Sequence, residues 1–126
     1  MRFHHIGIAC KNIDEEVANT SRINKVIEIS PTVFDEEQNS ELALVTLADG
    51  TKIEFISGKQ VESLVTKNIS YYHLCFEVDD IDTEIVRLTE EGAFLISGPK
   101  PTILFNGRKA AFLIVSYGII ELLNSR

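Results

Sequence analysis

Apolar residues along the chain recur with two different periods, and the order of those periods repeats. Residues 3–10 and residues 71–78 are short apolar runs of the kind that form β-strands. Each run leads directly into a polar segment with helical spacing, which ends near Ile23 in the first half and near Glu91 in the second. We therefore predict a strand followed by a helix at two places in the chain, with Asn12 and Asp80 as the N-caps.

Three further apolar runs follow each predicted helix. Turn residues separate them, such as Asp-Gly at 49–50 and Ser-Tyr-Gly at 116–118. The predicted strands are Val26–Ile29, Leu42–Leu47 and Lys52–Ile56 in the first half, and Ala93–Ile96, Ala110–Val115 and Ile119–Leu123 in the second. Residues 97–101, which are rich in Gly and Pro, are predicted to form a loop. Each half is thus predicted to be one βαβββ module.

The two halves also resemble each other residue by residue. His5 recurs as His73 and Glu54 recurs as Glu121, with the His on the first strand of each half and the Glu on the last. Only two copies exist, and their period is too long for a solenoid. We predict a single domain over residues 1–126, with one module at 1–66 and the other at 67–126.

The duplication selects four candidate metal ligands, namely His5, Glu54, His73 and Glu121. A Glu flanked by apolar residues in a buried strand needs a cation or a hydrogen-bond network. Any one of the four taken alone is most simply an exposed strand residue, but their recurrence in register favours a common role. Two imidazoles and two carboxylates suit one divalent transition metal ion, and Co, Ni, Zn, Mn and Fe all stay open.

Composition narrows the class of protein. The net charge is −7, from 12 basic and 19 acidic residues, and the sequence contains no extended cluster of Lys and Arg. This charge balance argues against a nucleic-acid partner. No apolar run approaches the ~20 residues that span a bilayer, and no signal peptide is recognisable. The two cysteines, Cys10 and Cys75, are too few for a disulfide framework. We predict a cytoplasmic protein that binds neither nucleic acid nor membrane.

Four segments carry a resemblance to a known family. They are His5-Ile6-Gly7-Ile8-Ala9, Ile53-Glu54-Phe55-Ile56, residues 73–82 and Ile119-Ile120-Glu121-Leu122-Leu123. Together they resemble the vicinal oxygen chelate superfamily of glyoxalases, bleomycin-resistance proteins and dioxygenases. The resemblance implies an α+β fold in which two tandem βαβββ modules form a cupped, partly open mixed β-sheet barrel around a central metal site. It places the family's metal-ligand positions on the same four residues.

Among the branches of that superfamily, the chain is most similar to the methylmalonyl-CoA epimerases. The similarity lies in residues 3–9, 72–81 and 106–113. It implies an isomerase or lyase that transfers a proton next to a carbonyl through a metal-stabilised enediolate. The implied substrate is a small carbonyl compound such as a thioester, and the implied assembly is a homodimer. Glu121 is the first candidate base, with Glu41 or Glu54 acting on the opposite side.

Other functions stay open at this stage. The same fold and ligands would suit a glyoxalase I-like lactoylglutathione lyase, a metal-free small-molecule binding or resistance protein, or an Fe(II) enzyme that activates oxygen. Glu77 shares the strand face of His73 and is either a partner of the metal site or a carboxylate paired with an arginine. Arg108 and Lys109 either hold an anionic group or form an exposed turn.

Overall fold

The chain folds into nine β-strands and three α-helices, and the predicted α+β class is confirmed. The computed structural model describes residues 1–126 throughout. The elements in chain order are β1 (Arg2–Ala9), α1 (Ile13–Ile23), β2 (Val26–Ile29), β3 (Val33–Asp35), β4 (Ser40–Leu47), β5 (Lys52–Gly58), a 3₁₀ turn (Lys59–Val61), α2 (Glu62–Thr66), β6 (Tyr71–Val78), α3 (Ile81–Glu90), β7 (Phe94–Pro101), β8 (Lys109–Val115) and β9 (Gly118–Asn124).

Residues 5–72 form one compact unit. Its strands lie in the order β2-β4-β5-β1, and β3 pairs with residues 40–42 at the start of β4. Strand β1 runs parallel to β5, whereas β2, β4 and β5 are antiparallel. Helix α1 covers one face of this sheet, where Ile13 packs with Ala43, Val45 and Phe55. The opposite face of the sheet is called the open face below.

Residues 73–126, together with residues 1–4, form the second compact unit. Its strands lie in the order β6-β9-β8-β7, with β6 parallel to β9 and the other neighbours antiparallel. Helix α3 packs against this sheet, where Ile81 lies in a core with Ala111, Leu113 and Leu122. The two units therefore repeat the same arrangement of a helix on one face of a mixed sheet.

Both long helices begin at the predicted N-caps. The Asn12 side chain accepts a hydrogen bond from the backbone N–H of Glu15 at 2.9 Å, and Asp80 accepts one from Thr83 at 3.1 Å. Each bond satisfies a backbone donor that the first turn of a helix leaves without an intrahelical partner. No helix in the chain is long and apolar enough to cross a membrane.

The prediction of a loop over residues 97–101 is wrong, because β7 continues to Pro101. The register between β7 and β8 shifts twice along this stretch, so it lacks a regular period-two pattern. Gly98 has φ +89°, and a Cβ there would lie 2.5 Å from the carbonyl oxygen of Ala110. Glycine thus marks the close approach of two strands here rather than a strand end. Strand β3 and helix α2 were not predicted, since both are very short.

Candidate functional site

The first His–Glu pair lies on the open face of the unit formed by residues 5–72. His5 Nε2 is 3.2 Å from Glu54 Oε1, and the two side chains are 0% and 7% exposed. The parallel register of β1 and β5 pairs Gly7 with Glu54, and His5 lies two residues before Gly7 on the same face. The intervening Ile8 points to the helix side and packs against the core there. Strand alternation is therefore what brings His5 to Glu54.

The second pair repeats this geometry in the other unit. His73 Nε2 is 3.1 Å from Glu121 Oε1, and the side chains are 1% and 5% exposed. Cys75 is the register partner of Glu121 in the parallel pairing of β6 and β9, and His73 again lies two residues earlier. Each unit thus contains one buried contact between a His and a Glu.

The donor set of each pair fits a divalent metal ion. A buried carboxylate is costly unless a cation or hydrogen bonds compensate it, and each Glu faces an imidazole nitrogen. Two ligand atoms that each lie about 2.1 Å from one ion at a right angle are separated by about 3.0 Å. The observed separations of 3.2 and 3.1 Å are close to that value. Each pair has the donor types and spacing of two adjacent ligands.

The two carboxylates differ in their cross-strand neighbours. Glu54 lies between Gly7 on β1 and Leu44 on β4. Glu121 lies between Cys75 on β6 and Phe112 on β8. The ring of Phe112 also packs edge-on against His73, with ring centroids 5.2 Å apart and an interplanar angle of 84°. The second carboxylate is therefore beside an aromatic wall, and the first is not.

Sequence reasoning missed Phe112 as a site residue. The signal was present in the predicted hairpin, because Val115 pairs with Gly118 across the turn and the same register then pairs Phe112 with Glu121. Alternation along β8 puts the helix-packed Ala111 and Leu113 on the other face. Counting back from the turn would have identified Phe112.

Glu41 is not brought to the His5–Glu54 pair. It pairs with Ser57 across β4 and β5, and Ser57 is three residues beyond Glu54, so the side chains of Glu41 and Glu54 point to opposite faces. Glu41 is exposed and borders a surface cavity of about 680 Å³ that Lys11, Ser57 and Lys59 also line. Of Glu41 and Glu54, only Glu54 lies on the open face.

Glu77 forms ion pairs at the end of β6. Arg108 contacts one carboxylate oxygen of Glu77 and also donates a hydrogen bond to the carbonyl oxygen of Asn124 at 2.8 Å. Arg2 lies 3.3 Å from the other carboxylate oxygen and 2.8 Å from Asp79. Burial by itself would raise the pKa of Glu77, but the hydrogen bonds and charges of Arg108 and Arg2 outweigh it and lower that pKa. Of the two interpretations of Glu77, the arginine pair is the observed one.

Cys10 is not a reactive thiol at neutral pH. Burial, helped by the negative charge of Glu16, raises the pKa of Cys10 to about 11. Because the thiolate is the nucleophilic form, a thiol with this pKa is almost entirely protonated near pH 7. Both Cys10 and Cys75 are buried, and neither forms a disulfide.

Two epimerases are similar in sequence to most of this chain. An ethylmalonyl-CoA/methylmalonyl-CoA epimerase of Cereibacter sphaeroides is 28% identical over 89% of this chain and 87% of the relative. A mitochondrial methylmalonyl-CoA epimerase of Dictyostelium discoideum is 29% identical over 89% of this chain and 69% of the relative.

The fold is also found among solved structures. A variant of Streptomyces coelicolor methylmalonyl-CoA epimerase in complex with 2-nitronate-propionyl-CoA superposes with a TM-score of 0.75. The match covers 99% of this chain and 97% of that structure at 21% identity. The profile of the Glyoxalase/Bleomycin resistance protein/Dioxygenase superfamily matches residues 4–112. The predicted family is confirmed, and the chain belongs to the Glyoxalase/Bleomycin resistance protein/Dioxygenase superfamily.

Proposed function

We propose that this chain is an isomerase of the methylmalonyl-CoA epimerase type, which moves a proton on the carbon next to a thioester carbonyl. The observation that carries the proposal is the pair of buried His–Glu contacts, one in each half of a duplicated fold. The relatives that bear the name methylmalonyl-CoA epimerase match nearly the whole chain, which supports the substrate class.

We propose further that His5, Glu54, His73 and Glu121 together hold one divalent ion, which is Co, Ni, Zn, Mn or Fe. Each half offers two donor atoms, and catalytic sites of this kind use three or four protein ligands. The duplication of the donor pair supports a common ion rather than two separate ones. Such an ion would supply Lewis-acid stabilisation of the negative charge that develops on the substrate oxygen.

Two Glu side chains of the chain then perform the proton transfer. The Glu121 carboxylate accepts the proton from the substrate carbon, and a second Glu, in its protonated carboxyl form, gives its proton to the other side of that carbon, which inverts the configuration. Glu54 is the better candidate for the second role than Glu41, because only Glu54 lies on the open face of its sheet with a His partner. Glu41 stays the alternative that the experiment below distinguishes.

Exchange of the α-proton of methylmalonyl-CoA in D₂O, followed by NMR, tests this function. The wild-type chain is expected to exchange the proton and to interconvert the two epimers. Glu121→Gln and Glu54→Gln are each expected to lose about 10²-fold or more, since general acid–base catalysis contributes on the order of 10²–10⁴. Glu41→Gln is expected to stay within about threefold of wild type, because its side chain points away from Glu54.

Each outcome of that experiment separates the candidates. A Glu41→Gln variant that loses as much activity as Glu121→Gln would make Glu41 the second base in place of Glu54. The hemithioacetal of methylglyoxal and glutathione is assayed in parallel. Turnover of this compound without α-proton exchange on methylmalonyl-CoA would replace the epimerase proposal with the glyoxalase I-like one.

We also propose that the chain acts as a cytoplasmic homodimer. The edge strands β2 and β7 expose apolar side chains, among them Ile27, Ile29, Phe94 and Ile96. Edge strands that carry exposed apolar residues are candidates for association with another chain. The two buried cysteines do not form a disulfide, which suits a reducing compartment. Light scattering of the purified protein tests the dimer against the 14.1 kDa mass of one chain.

A further inference from the structure

The neighbours of the two candidate bases differ in size. Glu121 lies directly opposite Phe112 in the register of β8 and β9, whereas Glu54 lies opposite Leu44 in β4 and β5. The strand on the other side contributes Cys75 next to Glu121 and Gly7 next to Glu54. Each carboxylate therefore has one cross-strand neighbour on either side. Both neighbours of Glu121 are larger than the corresponding neighbours of Glu54.

The Phe112 ring is held in place and still partly accessible. It is half-buried, and its edge-on contact with His73 restricts the ring from one side. Ile114, two residues further along the same face of β8, is 47% exposed and continues the apolar surface toward the strand end. A substituent on the carbon that faces Glu121 would therefore meet an apolar wall with little freedom to move away.

We infer that Phe112 is a specificity-determining residue that limits the size of the alkyl group on the substrate α-carbon. The inference rests on the proposed function, with Glu121 as the base that approaches this carbon. An aromatic ring beside the base leaves room for a methyl group and resists a larger one. A pocket of this type discriminates one methylene by roughly 10–200-fold.

The ratio of kcat/KM for methylmalonyl-CoA to that for ethylmalonyl-CoA tests the inference. Wild type is expected to prefer methylmalonyl-CoA, and Phe112→Ala is expected to shift the ratio by about tenfold or more toward ethylmalonyl-CoA. Phe112→Leu, which gives Glu121 the neighbour that Glu54 already has, is expected to fall between them. A general loss of activity through disturbed packing of His73 would lower both values together and leave the ratio unchanged.

Leu44→Ala provides the matched control in the other half. It removes the cross-strand neighbour of Glu54, and the ratio is expected to stay within about twofold of wild type because the aromatic wall is intact. An unchanged ratio in Phe112→Ala, or an equal shift in Leu44→Ala, would overturn the assignment to Phe112.

Binding measurements keep the two proposals separate. Dissociation constants of the two thioesters are measured for wild type and Phe112→Ala by calorimetry. Absence of turnover on either thioester by the wild type would overturn the proposed function. The inference on Phe112 then stands if the ratio of dissociation constants shifts in the variant, and it falls if that ratio does not.

Discussion

The two halves of the chain keep the same His–Glu pair and differ in what surrounds it. The pairs have nearly equal separations, 3.2 Å in the first half and 3.1 Å in the second, and all four side chains are almost fully buried. The cross-strand neighbours of Glu54 are Gly7 and Leu44, and those of Glu121 are Cys75 and Phe112. The duplication has therefore kept the geometry of the pair and changed the size of the residues on both sides of the Glu.

The helices show a similar divergence. Helix α3 buries Ile81 and packs Ile85 and Leu88 against a core that includes Ala111, Leu113 and Leu122. Helix α1 buries Ile13 and Thr20, and the Thr20 hydroxyl donates to the carbonyl oxygen of Glu16 at 2.8 Å. Only Ile13 and Val17 of α1 belong to the apolar core, so the apolar stripe of α1 is shorter than that of α3. The two His–Glu pairs thus have nearly the same geometry, although the helices on the other face of their sheets pack differently.

The largest effect is expected from replacing the His of either half, which tests whether the two His–Glu pairs contribute equally to metal binding. His5→Ala and His73→Ala are each expected to lose most of the bound transition metal, because a common ion needs ligands from both pairs. Metal per chain is measured by elemental analysis of protein purified without chelators, and circular dichroism checks that both variants are folded. Full metal retention in one folded variant would show that only the other half binds the ion.

The ion pairs of Glu77 predict an acid-dependent difference in the stability of the second half. Glu77→Gln is expected to lower the free energy of unfolding by about 1–2 kcal/mol at neutral pH. Since the folded-state pKa of Glu77 is lowered, the wild-type advantage is present above the unfolded pKa and is lost as pH falls through the folded pKa. Urea unfolding at neutral pH and at about pH 3 measures both ends of this range.

Glu84→Gln is the matched control for that experiment. Glu84 has about the same exposure as Glu77 but pairs with a single arginine, Arg87, within its own helix α3, whereas Glu77 pairs with both Arg2 and Arg108. Surface pairs of this kind contribute about 0.3–0.5 kcal/mol. If the Glu77→Gln difference persists unchanged at the acidic pH, it comes from packing rather than from the charge of Glu77.

A smaller effect than that of Glu77→Gln is expected at the helix caps, where the two halves should behave alike. Asn12→Ala and Asp80→Ala are each expected to cost about 1 kcal/mol, because each removes the side chain that accepts from the first helical turn. Unfolding midpoints in urea measure both. A much larger loss for one variant would show that its helix contributes more to the folded state than capping alone explains.

Much of the fold and of the candidate site was predictable from the sequence because the underlying signals are local. Both helices begin at the caps that the sequence predicts, and the strands Val26–Ile29 and Lys52–Ile56 lie within the observed β2 and β5. The extension of β7 over residues 97–101 was not predictable from composition, since Gly98 serves a close approach to β8 that only the paired strand defines.

The sequence by itself determined the duplication, the α+β class and the choice of His5, Glu54, His73 and Glu121. Period-two and period-3.6 patterns are read within one segment, and the repeat then identifies the recurring polar residues. Tertiary structure decided the edge-on packing of the Phe112 ring against His73 and the close approach of Gly98 to β8. It also decided that Glu77 pairs with Arg2 and Arg108, which are 75 and 31 residues away. These facts depend on strand register and on contacts between distant residues, and no local pattern in a single sequence encodes them.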